Sequence, residues 1–226
     1  MEEFLSKVIT IDGTVGSGKS SVGFLFSKLI NYQFVDSGLF YRAITYTILS
    51  KNLNIEDAEQ NKILTNNLNI DFITQDEDVL ILLDDKDVSI NLHLDDVNEN
   101  VSTVSSQMEV RDAVTKLQQK FASIKKSVIA GQDIGTYVFP QAKLKFFVDA
   151  PASERAKRRC SQLIKKGQNV TYEQTLDNIN KREEADRSRK YHPLTVPQDA
   201  HIIQNANHSL QETVNEMIRI YQQNIS

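Results

Sequence analysis

Near the start of the chain a β-rich apolar run, Lys7–Asp12 (KVITID), feeds into Gly13-x-x-Gly16-x-Gly18-Lys19-Ser20. A helical pattern follows, with Val22, Phe24, Leu25, Phe26, Leu29 and Ile30 at helix-like spacings. Strand, glycine loop and helix in that order turn the spacing G-x-x-x-x-G-K-[ST] into a P-loop. The residue types are the ones the chemistry needs. Glycines let successive backbone N–H groups turn inward around anionic oxygens. The helix that starts near Gly18 adds its positive dipole end and unpaired N–H groups. Lys19 supplies a charge to the β- and γ-phosphates, and the Ser20 hydroxyl is placed to ligate Mg²⁺. The loop therefore points to a nucleoside triphosphate and is silent on what accepts the phosphate.

Four further short apolar runs, 33–36 (QFVD), 127–130 (SVIA), 144–149 (LKFFVD) and 200–204 (AHIIQ), read as buried strands. Helical patterns lie near 19–31, 38–51, 101–124, 152–165, 171–189 and 210–224. Strands alternating with helices predict an α/β fold, a five-stranded parallel sheet covered by helices on both faces. Residues 69–92 break the alternation with strand runs parted by acidic turns, which reads as a small antiparallel β insert reached through the Asn-rich stretch 52–69.

Composition bounds the partners. Of nine arginines, six fall between Arg155 and Arg189, while the net charge is −4. A local basic segment on an acidic chain suits a small anionic ligand and gives no global pull toward nucleic acid. The single cysteine, Cys160, excludes an internal disulfide framework, and His93, His192, His201 and His208 are not paired at metal-ligand spacing. The N-terminus MEEFLSKVIT lacks an apolar run, and no stretch approaches transmembrane length, so a cytoplasmic chain without a membrane partner is expected. Without heptads, a monomer is expected.

The acceptor side follows from charge and position. A GTPase needs Asn-Lys-x-Asp, and NKRE at 180–183 lacks the aspartate. A small kinase needs a second anion site facing the first. Asp36 and Ser37 follow the second strand, with Arg42 early on the next helix and Arg111 on a long one. Asp133, in GQDIGT, should lie at the carboxyl edge of the sheet, where ligands bind in open α/β folds; a turn former between two glycines is the plainer reading. Arg155, Arg158 and Arg159 share one helix face before Gly167. They suit a lid closing on phosphates, or simply a solvated face. Arg182, Asp186 and Arg189 follow another helix face, as a grip on sugar and phosphate or as an ion-pair ladder.

From end to end the chain resembles the bacterial cytidylate kinases. IDGTVGSGKSS, DSGLFYRA, DIGTYVFPQAKLKFFVDA, ERAKRRCSQL…KKG, IxxRxxxDxxR…PL and DAHII stand in that family's order and spacing. The resemblance implies a P-loop NTPase fold whose β insert lies on the nucleoside-monophosphate side. It implies a core of 1–36, 109–151 and 168–226, an acceptor-binding region of 37–108 and a lid of 152–167. Gly13, Thr14, Val15, Gly16, Ser17, Gly18, Lys19, Ser20 and Ser21 would hold ATP, with Ser20 on Mg²⁺. Ser37, Arg111, Asp133 and Arg189 would read the pyrimidine. Ser102, Arg182 and Asp186 would bind the sugar, and Arg42 and Arg182 the CMP phosphate. Lys19, Arg155, Arg158 and Arg159 would stabilise charge on the transferring group.

Two positions depart from the family pattern. Gln132 stands where an arginine is expected to grip the acceptor phosphate, so a charge-assisted contact becomes a neutral one. That loss is worth about 1–3 kcal/mol, or roughly tenfold to a hundredfold in kcat/KM. Thr14 replaces a frequent proline, which should slightly loosen the loop. The expected activity is ATP–Mg²⁺-dependent phosphorylation of CMP or dCMP. The rivals are a kinase preferring UMP and a nucleotide-binding regulatory protein with little turnover, which Gln132 alone supports.

Overall fold

The computed structural model of the chain describes residues 7–74, 78–165, 167–206 and 208–224. The first six residues of the acidic N-terminus, 75–77 in the insert, Lys166 in the Arg-rich segment, Asn207 and 225–226 lie outside the described residues. Strand β1 (Val8–Gly13) is buried along its whole length, as a β-branched run at the centre of a parallel sheet must be. It pairs with β6 (Ser127–Gly131) on one side and β7 (Leu144–Asp149) on the other. The outer strands β2 (Gln33–Asp36) and β8 (His201–Gln204) complete the order β2-β6-β1-β7-β8, all parallel. The five strands are those the apolar runs predict.

Two apolar clusters lie on opposite faces of this sheet. One holds Ile11, Val22, Phe26, Phe146, Val214 and Met217, under helices α1 (Lys19–Leu29) and α8 (Leu210–Asn224). The other joins Val35, Phe40, Ile44, Phe72, Val114 and Ile129, under α2 (Ser37–Ser50) and α5 (Met108–Ile124). The insert belongs to this second cluster. Its strands β3 (Ile70–Thr74), β4 (Val79–Leu83) and β5 (Lys86–Asp87) are antiparallel. Asp84 and Asp85, with φ of 48° and 63°, make the two-residue turn between β4 and β5. Thr74 at the end of β3 accepts from the Phe34 amide at 3.2 Å and from the Gln33 side chain, which seats the insert against the sheet edge.

The structure departs from the sequence pattern in three places. The insert ends at Asp87, because Ser89 turns back on the Asp87 carboxylate with both its amide (2.9 Å) and its hydroxyl (2.6 Å). The approach to the insert contains a helix of its own, α3 (Ala58–Asn66), capped by Asp57. The apolar run 101–124 is two helices, α4 (Asp95–Ser106) and α5, parted at Gln107, whose backbone is extended at φ −73° and ψ 121°. Gln107 explains the break: its amide donates to the Ile55 carbonyl at 2.7 Å and accepts from buried Asn61 at 3.1 Å. Arg111, one turn into α5, closes the C-terminus of α4 by donating to the Ser105 carbonyl at 2.9 Å. Among the described residues no helix is long and apolar enough to cross a membrane.

Candidate active site

The carboxyl ends of the parallel strands carry a row of polar side chains: Asp12, Asp36, Gln132, Asp133, Asp149 and Asn205. The register puts Asp12 opposite Gly131 and Gly13 opposite Val148, so the glycine loop springs from the centre of that row. A Cβ on Gly13 would stand 2.1 Å from the Val148 carbonyl oxygen, so only glycine lets β1 turn there. Gly18, at φ 91°, begins α1 in the left-handed region. Asn205, just past β8, holds the loop from behind. Its Nδ2 donates to the Ser17 carbonyl at 2.7 Å, its Oδ1 accepts from Thr213 at 2.9 Å, and its backbone amide bonds Asp149 at 2.7 Å. Thr14 tightens the loop where a looser one was expected: its hydroxyl donates to Asp149 Oδ1 at 2.9 Å, tying the loop to β7.

Lys19 folds its ammonium onto the Thr14 carbonyl at 3.2 Å. Burial pushes its pKa down and Arg182 adds to this, while the Asp36, Asp12 and Asp186 carboxylates hold it up. Ser20 donates to Asp36 Oδ2 at 2.6 Å, and Asp36 Oδ1 caps α2 through the Gly38 amide at 2.9 Å. A hydroxyl beside a carboxylate is a hard-oxygen pair that suits Mg²⁺. Asp12 is fully buried and accepts from the Ile134 and Gly135 amides at 2.8 and 2.6 Å. Burial raises its pKa to about 7, against the pull of those two amides. The amides open a single π-helical turn, Ile134–Val138, directly after Asp133.

A cleft of about 1120 Å³ lies over the loop. Val15, Gly16, Gly18, Lys19, Ser20 and Ser21 line one side. Helices α6 (Ala152–Lys165) and α7 (Tyr172–Ser188) line the other with Arg155, Arg158, Arg159 and Arg182. The three arginines of α6 are not equivalent. Arg155 is 3% exposed and spent on structure: Nε donates to the Ala150 carbonyl at 2.7 Å, NH1 to the Val15 carbonyl at 2.9 Å, and NH2 pairs with Glu183 of α7 at 2.5 Å. Arg158 donates to the carbonyls of Asn205 and Ala206 at 2.5 and 2.9 Å. Arg159 and Arg182 make no hydrogen bond or ion pair to any described residue.

The remaining residues fall into two linked groups. Arg42 donates to the Leu92 carbonyl at 2.9 Å and to Asn98 of α4 at 2.6 Å, and it lies in the fields of Asp36, Arg182 and Arg159. Ser102 is exposed one turn after Asn98, and its side chain makes no hydrogen bond to Arg182 or Asp186. In the other group Arg111 and Asp133, both buried, form an ion pair. Gln132 bridges Asp186, to which its amide donates, and Arg189, which donates to it at 3.3 Å. Ser37 is buried and accepts from Gln118 at 3.0 Å. Asn98, Asn205 and the clamp role of Asp12 were missed in the sequence. DAHII lies beside Asn205 and IDGTVGSGKSS contains Asp12, whereas Asn98 falls in neither, and nothing local marks any of the three contacts.

A P-loop on a five-stranded parallel sheet, under a cleft walled by arginines, defines a P-loop kinase. The sequence model of the family described as cytidylate kinase matches residues 9–223. The cytidylate kinase of Caldicellulosiruptor bescii is 37% identical over 213 residues, covering 94% of this chain and 94% of its own length. That of Carboxydothermus hydrogenoformans is 38% identical over 212 residues, covering 94% and 96%. A crystal structure of shikimate kinase from Bacteroides thetaiotaomicron matches with a TM-score of 0.50 over 95% of this chain and 98% of its own, at 11% identity, a likeness of fold alone. The chain belongs to the cytidylate kinase family.

Proposed function

We propose that this protein transfers the γ-phosphoryl group of ATP to CMP or dCMP, giving ADP and CDP or dCDP. The observation that carries the reading is Arg182. It makes no hydrogen bond or ion pair to a described residue, lines the cleft beside Lys19, and shares its field with Arg42. One cation is thus positioned to meet both donor and acceptor phosphates, as in-line transfer requires.

The loop residues Gly13–Ser21 bind the triphosphate through inward-facing amides. A phosphate oxygen replaces the Thr14 carbonyl as the partner of Lys19 and opposes the downward push of burial on its pKa. Ser20 and Asp36, with phosphates and water, would hold Mg²⁺, which would neutralise charge on the β- and γ-phosphoryl oxygens. Arg159 and Arg158 approach the transferring group from α6, the distal part of which acts as the lid, while Arg155 anchors its base. Arg42 and Arg182 hold the acceptor phosphate, and Asp186 and Ser102 the sugar. Ser37, Arg111, Asp133 and Arg189 read the base. The Asp133 carboxylate accepts from the exocyclic amine of cytosine and meets an acceptor on uracil, so it selects. No general base is needed, because positioning and charge neutralisation carry this chemistry.

The reading takes 37–108 as the acceptor-binding region, 152–167 as the lid and the rest as the core. It places the protein in pyrimidine nucleotide metabolism as a cytoplasmic monomer, which a free buried Cys160 suits. Incubation with CMP and ATP labelled at the γ-phosphate tests it. Label should appear in CDP; label that stays in ATP or leaves only as inorganic phosphate sinks the reading.

A further inference from the structure

His192 lies beyond α7, three residues after Arg189, and none of the roles above falls on it. Its backbone has φ 51°, a region that non-glycine residues enter at a cost unless their surroundings hold them there. What holds it is the Arg111–Asp133 pair. His192 Nδ1 accepts from Arg111 Nε at 3.1 Å and stands 3.6 Å from Asp133 Oδ2. The Tyr137 ring stacks on the imidazole with 25° between their planes, and its hydroxyl donates to Asp112 at 3.0 Å.

The guanidinium of Arg111 is therefore committed on all three nitrogens. NH1 closes α4 at Ser105, NH2 pairs with Asp133, and Nε rests on His192. With Oδ2 engaged, Asp133 Oδ1 accepts from no described residue. We infer that His192 is a positioning residue for base selection: by accepting from Arg111 Nε, it fixes the guanidinium so that Asp133 presents its second oxygen to the acceptor base. The inference rests on the reading that Arg111 and Asp133 face the pyrimidine.

The contact works only when Nδ1 carries no proton. Protonation would set an N–H against the Arg111 N–H and offer Asp133 Oδ2 a second cationic partner. The charged and titratable groups facing the imidazole are Arg111 and Asp112 from α5, Asp133 and Tyr137 from the turn after β6, and Arg189 from the end of α7. Burial and then Arg111 push the imidazole pKa down, while Asp133 and Asp112 oppose them, so the neutral ring is favoured. Affinity for CMP should therefore weaken as acid titrates the ring.

The test measures initial rates with CMP and UMP between about pH 5.5 and 8 for the wild type, His192→Ala, His192→Asn and Asp133→Asn. His192→Ala should raise the KM for CMP about tenfold, with the change in KM rather than kcat, and shrink the CMP-over-UMP preference by a similar factor. Asn offers Oδ1 in place of Nδ1 and tolerates positive φ. His192→Asn should therefore recover most of the affinity and show a smaller acid-side rise in KM than the wild type, the remainder coming from the acceptor phosphate, whose second pKa is about 6. An unchanged KM and preference in His192→Ala, or an acid-side rise in His192→Asn as large as that of the wild type, overturns the inference. Asp133→Asn separates the two failures. If it collapses the preference while His192→Ala does not, base reading stands and the role of His192 falls. If it leaves the preference intact, the base-reading premise fails and this inference with it.

Discussion

At the residue scale, Asp12 joins the two halves of the site. It precedes the glycine loop directly and clamps the two amides that follow Asp133. Asn in its place could accept from one amide only and would turn an N–H toward the other, at a cost of about 1–3 kcal/mol. Its folded-state pKa, about 7, lies above the ordinary 3.8. The ionised form is thus penalised on folding, and the penalty is absent below the unfolded value and grows as pH rises from 3.8 to about 7. Urea denaturation across that window should show the stability advantage of the wild type over Asp12→Asn shrinking with rising pH, with the variant the less stable of the two. A variant with the same slope as the wild type would remove Asp12 as its source. The glycine loop itself was legible, because its chemistry is written in consecutive residues. Its back support was not: Asn205 is 188 residues from the carbonyl it holds, and an asparagine carries no sign of its partner.

At the element scale, the sequence spacing of Arg155, Arg158 and Arg159 gives a shared face on α6 and no sign of which one the fold consumes. Burial decides. Arg155 ties α6 to α7 and to the glycine loop, whereas Arg159 has no hydrogen-bonded partner among the described residues. Arg155→Ala should strip a buried partner from Glu183 and lower both Tm and kcat/KM, the Tm by several degrees. Arg159→Ala should leave Tm within about a degree and lower kcat/KM about tenfold to a hundredfold. Thermal scans and steady-state rates on the two variants check this; equal effects on Tm would contradict it. The α4–α5 break shows the same limit of local pattern. The apolar period runs on through Gln107, and only the contacts with Ile55 and Asn61 stop the helix. Gln107→Ala should cost about 1 kcal/mol by urea denaturation, because it removes two hydrogen bonds while Asn61 still donates to the Ile55 carbonyl at 2.9 Å.

At the scale of the whole molecule, one parallel sheet carries two apolar clusters on its faces and all the chemistry along one edge. That layout was legible from five apolar runs alternating with helices, since a parallel strand buried on both faces needs no polar alternation. On the proposed acceptor side the sequence marks individual residues and not the contacts among them. Gln132 illustrates the difference. As a substitution it looks like a lost charge, yet its side-chain amide bridges Asp186 and Arg189. On the proposed function, this edge selects a cytosine nucleotide as the acceptor of the ATP γ-phosphoryl group. The most direct test is kcat/KM for CMP, dCMP, UMP and AMP with ATP–Mg²⁺, with Gln132→Arg assayed beside the natural chain. CMP and dCMP should lead in both proteins, with the arginine improving CMP use by about tenfold or more. A lead for UMP or AMP, or no transfer to any acceptor by either protein, would contradict it.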